Sequence, residues 1–180
     1  MKNTSEKSVE RNKGVTLIEL IITLLLVATL SLFSISSFNR YIAEAKRIMY
    51  VNEFLASLNL ARSTAVTRMK SVVMCKAIDG VCHTQSTGYE TGWTIFIDED
   101  NDEGLDTNEI QIKIHAGLNG FTLEGEGAIK DRIVYKSYGS LSVNQKTKLT
   151  LKDRKCEVSR SEIIIALGGR ARSKRIKCEE

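Results

Sequence analysis

The chain changes character three times along its length. Residues 1–13 are polar, whereas residues 15–38 read VTLIELIITLLLVATLSLFSISSF, with Glu19 as the one charge in 24 positions. An apolar run of this length suffices for a helix to cross a hydrocarbon core of roughly 30 Å, and it lacks the polar stripe of a soluble core helix. From residue 40 to about 70 the charges return. There Tyr41, Ala45, Ile48, Val51, Leu55, Leu58, Ala61 and Ala65 recur at spacings of three and four, which predicts one amphipathic helical face. No Pro or Gly lies between Val15 and Lys70, so both parts are expected to form a single helix of roughly 80 Å. The stripe lasts about three heptads, short for a coiled coil, and a sheet made by the rest of the chain is the expected cover.

Beyond residue 70 the period becomes that of strands. Short apolar or alternating runs at 71–75, 93–97, 110–114, 121–123, 133–135, 149–151 and 162–167 are separated by Gly, Asn and Asp, a pattern of antiparallel sheets. Gly168 and Gly169 read as a two-residue turn into a returning strand over 170–177. The expected class is α+β, with boundaries at 1–14 for a leader, 15–38 for the membrane half of the helix, 39–70 for its amphipathic half and 71–180 for a β-rich body.

Charge adds direction. The 180 residues are 42% hydrophobic and 27% charged, which excludes a disordered tail and a polytopic membrane protein. Residues 1–13 carry four bases against two acids, so the amino-terminal side is expected to stay cytoplasmic and the body to lie outside. A secretory signal would end at a small-x-small cleavage site, and none follows the apolar run. Glu19 is then a carboxylate near the start of a membrane helix, which calls for a positive partner. Cutting between Gly14 and Val15 would create an amine one helical turn before it. A Glu that snorkels or stays protonated at the membrane edge is the plainer alternative.

Lys13-Gly14-Val15-Thr16-Leu17-Ile18-Glu19-Leu20 resembles the class III signal of type IV pilins and pseudopilins. The resemblance implies cleavage after Gly14 by a prepilin peptidase, methylation of Val15, and a role for Glu19 in assembly, pairing with the amino terminus of a neighbouring subunit. Val15 departs from the usual Phe. Leu60-Ala61-Arg62-Ser63, Val72-Val73-Met74-Cys75, the segment GWTIFID at 92–98 and Gly169-Arg170-Ala171-Arg172 are similar to successive landmarks of the FimT/GspH group of minor pilins and pseudopilins. The fold this implies is the type IV pilin fold, a long amino-terminal helix packed on antiparallel β-sheets.

An extracytoplasmic body can hold disulfides. Four Cys allow three pairings; joining Cys75 to Cys82 and Cys156 to Cys178 closes two compact loops and is the preferred one. Zinc is disfavoured, since no C-x-x-C knuckle is present and His83 and His115 lack ligand spacing. The segment 98–109 has seven acids and no base. Asp98, Asp100, Asp102, Asp106 and Glu109 fall at positions 1, 3, 5, 9 and 12 of a calcium loop. Its Gly is one place late and a strand precedes it, which excludes an EF-hand proper. Calcium and a metal-free acidic hairpin both stay open, and no other cofactor is expected.

Residues 146–178 hold eleven bases and three acids, a net +8, so the other 147 residues sum to −4. Strand alternation puts Arg170, Arg172 and Lys174 on one face at steps of about 6.6 Å, with Arg175 and Lys177 completing the basic hairpin. Arginines in a row suit phosphates, and the absence of interleaved aromatics argues for sequence-independent binding. In FimT-like minor pilins the G-R-x-R signature is associated with capture of extracellular DNA in natural transformation. A solvated basic face, or one that pairs with a neighbour's acidic loop, is the rival. No catalytic constellation is evident, so an enzyme is not expected. The expected partners are major and minor pilins, the prepilin peptidase, DNA and the inner membrane. The expected location is the inner membrane with the body in the periplasm, and the cell surface once assembled. The alternative is a GspH-like minor pseudopilin of a type II secretion system.

Overall fold

The computed structural model describes residues 14–153 and 159–178, with the side chains of 31–37 outside the description. Residues 1–13 of the expected leader 1–14 therefore lie outside the described residues. Two compact units result, Met1–Asn39 and Arg40–Glu180. One helix, α1 (Leu17–Arg68), contributes to both.

In the first unit α1 begins on a cap. The Glu19 amide donates to Thr16 Oγ1 at 3.3 Å and the Leu20 amide to the Thr16 carbonyl at 3.2 Å. Thr16 is thus the N-cap and Glu19 the third helical residue, the spacing of a capping box, with the carboxylate in the first turn where the helix dipole favours it. Among the described residues no helix is long and apolar enough to cross a membrane. The expected span 15–38 includes residues 31–37, whose side chains are not described.

In the second unit α1 buries Tyr50, Val51, Phe54, Ser57, Leu58, Ala61 and Ala65. This corrects the expected stripe at its start, because Tyr41 and Ile48 are exposed while Tyr50 and Phe54 are buried. Both rows satisfy spacings of three and four, and the sheets select the one that carries the aromatic rings. Phe54 meets Tyr89 and Trp93 edge-on with centroids 5.5 and 5.1 Å apart, and Tyr50 meets Phe121 at 5.2 Å.

Among the described residues nine strands form two antiparallel sheets. The first contains β1 (Ser71–Ile78), β2 (Val81–Cys82), β3 (Gly92–Asp98), β4 (Gln111–Ala116) and β6 (Arg132–Tyr135), in the order β2-β1-β3-β4 with β6 also paired to β1. The second contains β5 (Phe121–Gly125), β7 (Thr147–Asp153), β8 (Ser159–Ile165) and β9 (Ala171–Lys177), in the order β5-β7-β8-β9. Leu123, Leu149, Leu151, Ile163 and Ile165 of the second sheet join Val72, Met74, Trp93, Ile95 and Ile133 of the first around the helix face. Val73, Cys75 and Phe96 make a smaller cluster on the other face of the first sheet, with Leu105 of the acidic loop packed against it. Covered on both faces, β3 is buried at all seven positions, which explains why Ile95, Phe96 and Ile97 follow one another without a polar residue between them.

The expected strands all form, and β2 is an addition that two residues could not signal. It is clamped by the Cys75–Cys82 disulfide, as expected. Beside the bridge Lys76 is fully buried. Its ammonium donates to the carbonyls of Gln85 and Thr87 at 2.5 and 2.9 Å and lies 2.6 Å from an Asp131 oxygen. These partners compensate a charge that would otherwise not tolerate burial. Burial and then the Lys76 charge push the pKa of nearby His83 down.

Candidate functional site

The β8–β9 hairpin differs from the expected two-residue turn. The Gly169 amide donates to the Ala166 carbonyl at 2.8 Å and the Ala166 amide to the Arg170 carbonyl at 3.0 Å. The loop is therefore three residues, Leu167, Gly168 and Gly169, closed by Gly169 at φ +80°. A turn followed by a left-handed residue matches strand twist, and Gly adopts it without steric cost. Gly169 also packs where nothing larger fits: a Cβ there would stand 2.1 Å from the Gly139 carbonyl oxygen. Arg62 of α1 donates through Nε to that same carbonyl at 2.9 Å. Two motifs far apart in sequence, around Arg62 and Gly169, thus meet at one turn.

Register then sorts the basic residues. Arg172 lies opposite Ile164, Lys174 opposite Glu162, and Arg175 opposite Ser161. Cross-strand partners project to the same face. Ser161, Ile163 and Ile165 are buried against the core, so Arg172 and Lys174 lie on the outer face and Arg175 and Lys177 on the inner one. Arg170, just before β9, is exposed and lines one open cavity of about 490 Å³ with Arg172, Lys146, Ile164 and Ala166. The structure therefore unites Arg170 and Arg172 as expected, with Lys174 on their face, and separates Arg175 and Lys177 from them.

Arg175 is drawn toward the helix by Glu44, with Nη1 at 3.2 Å from Oε1. Glu44 also takes Arg47 Nη2 at 2.6 Å, Arg47 Nε at 2.9 Å and the Ser159 hydroxyl at 3.1 Å. Arg47, itself buried, donates to Ser161 Oγ. Hydrogen bonding from Arg47 is the main cause that holds the Glu44 carboxyl below its ordinary pKa of 4.5. This network fastens the hairpin to α1. Its sequence signal, a Glu and an Arg three apart, is common on any helix.

The acidic loop is sorted in the same way. Asp98, Asp100 and Asp102 bring one oxygen each within 4.8 Å of the others. Of the expected five, Asp106 and Glu109 are not in that group; the two Glu109 oxygens accept main-chain amides, from Glu99 at 2.9 Å and Asp106 at 3.1 Å. Asp98 is buried, which pushes its pKa up against the pull of the Asn101 amide. Of the second cysteine pair, Cys178 is disulfide-bonded while Cys156 lies outside the described residues. The basic residues 154–155 also lie outside them.

A long helix covered by two antiparallel sheets defines a type IV pilin-like subunit. The chain belongs to the family described as Type II transport protein GspH, whose profile matches residues 50–173. Its fold is similar to the type IV minor pilin FimU of Pseudomonas aeruginosa in two crystal forms. One has TM-score 0.54 at 17% identity over 68% of this chain and 88% of that one; the other has 0.54 at 16% over 76% and 90%. It is similar too to the minor pseudopilin EpsH from the Type 2 Secretion System of Vibrio cholerae, with TM-score 0.52 at 13% identity over 72% and 96%. No curated protein sequence matches the chain. Family and fold together make this a type IV pilin-like subunit, a minor pilin or pseudopilin of the GspH family.

Proposed function

We propose that the chain is a minor type IV pilin that assembles into or primes a pilus and binds extracellular DNA without sequence preference for uptake in natural transformation. The observation that supports DNA binding is the convergence of Arg170 and Arg172 on one open cavity with Lys146. Guanidinium groups so placed suit phosphate oxygens. The outer face of the second sheet carries no aromatic side chain among the described residues, so base stacking has no platform. The resemblance of Gly169-Arg170-Ala171-Arg172 to the G-R-x-R signature points the same way.

In this reading a prepilin peptidase cuts after Gly14 and methylates Val15, residues 15–38 anchor the chain in the inner membrane, and Glu19 pairs with a neighbour's amino terminus. The test is a gel shift of duplex DNA with the full chain in neutral detergent. With four or five phosphate contacts, log affinity should fall against log salt with a slope of about −4. Arg170→Ala with Arg172→Ala should abolish most binding at unchanged thermal unfolding. Binding that survives both substitutions rejects their role.

A second reading, a GspH-like minor pseudopilin of type II secretion, is favoured by the description of the matching family. Such a subunit has no use for a basic outer face. Failure to bind duplex DNA, with co-purification of other pseudopilins, supports this alternative.

A further inference from the structure

We propose that the polyanion path crosses the second sheet from β9 to β7, so that Lys146, Lys152 and Arg160 are further binding residues while Arg175 and Lys177 are not. This rests on the DNA-binding reading and gives it a footprint.

The sequence places the basic residues along one hairpin, but the register arranges them as a patch. Arg172, Ile164 and Lys148 form one cross-strand row, and Lys174, Glu162, Thr150 and Glu124 form the next. Lys152 stands opposite Thr122 and Arg160 opposite Ile176, both on this outer face. Strands about 4.8 Å apart put β7 roughly 10 Å from β9, and alternate residues are about 6.6 Å apart along each strand. Lys146 extends the patch at its turn end, lining the same cavity as Arg170 and Arg172. Lys148 is compensated by Glu126 at 3.1 Å, and therefore does not count toward the path.

Six bases then surround two acids, Glu124 and Glu162, on one surface. The inner face of β9 offers the opposite setting. There a phosphate approaching Arg175 would meet the ionised Glu44 carboxylate, already 3.2 Å from the guanidinium, and like charges repel. Lys177 lies on that same side, opposite Ser159.

The test is an anisotropy titration of labelled duplex DNA with the full chain in neutral detergent, across about 50–200 mM salt. Six contacts along this path steepen the slope from the about −4 of four or five contacts to about −5, and Lys146→Gln, Lys152→Gln and Arg160→Gln should each weaken binding about five- to tenfold and reduce the slope by about 1. Arg175→Gln and Lys177→Gln should change neither. If the unsubstituted chain binds but the three outer substitutions are silent, or the two inner ones lower the slope, the path is overturned and the DNA-binding reading stands. If the unsubstituted chain binds no duplex, that reading falls and the path with it.

Discussion

Gly169 lies so close to Gly139 that a Cβ on the former would stand 2.1 Å from the carbonyl oxygen of the latter. The two turns touch backbone to backbone, and Arg62 bonds the same carbonyl from the helix. The Tyr135 hydroxyl donates to Gly169 O at 3.4 Å from the other side. The glycine ahead of Arg170 is therefore a packing residue that sets where the two arginines begin.

Gly169→Ala should cost about 2–4 kcal/mol, combining the left-handed φ of +80° with the clash. Gly168→Ala, whose Cβ would meet nothing within 4 Å, should stay within about 0.5 kcal/mol. Urea unfolding of both variants checks the contrast, and equal stabilities would contradict it.

Glu44 gives the fold an acid-sensitive fastening. A carboxyl held below its ordinary 4.5 contributes stability above that value and loses it as pH falls through the folded pKa. Glu44→Gln should cost about 2 kcal/mol at pH 7, since Arg47 stays buried with a weaker partner. The difference from the unsubstituted chain should shrink once pH drops below 4.5. A gap that persists in acid would mean that shape, and not charge, is responsible.

Lys76 and the Cys75–Cys82 bridge restrain the same segment. Lys76→Met strands the Gln85 and Thr87 carbonyls and should cost about 3 kcal/mol. Cys75→Ala with Cys82→Ala opens a loop of sequence separation 7 and should cost about 2–3 kcal/mol by chain entropy. Combining all three should cost less than the sum, because the loop is freed only once. Additive losses in thermal or urea unfolding would show that the two restraints act independently.

Glu19 has two candidate roles that one substitution separates. Glu19→Gln keeps the residue whose amide Thr16 caps but removes its charge. Incorporation into filaments should fail if the carboxylate pairs with a neighbour's amine, and persist if the helix start is all that matters. Intact mass of the membrane-extracted chain should also show loss of residues 1–14; a retained leader would reject processing.

The sequence alone determined that there is a long helix, that strands follow it, and where the chain turns. Those features depend on neighbours: a Pro-free stretch, a period of 3.6 or 2, a Gly-Gly pair. The joining of Cys75 to Cys82 was legible for the same reason, since seven positions separate them. Which side of each element faces inward was not. Two helix rows met the same spacing, and packing of Phe54 on Trp93 selected one. Along β9, alternation splits the bases into two sets, and only pairing with β8, whose buried Ser161 fixes the inner face, assigns Arg172 outward and Arg175 toward Glu44. That choice depends on contacts such as Ser159 with Glu44, 115 positions apart, and a local pattern holds no information about so distant a partner.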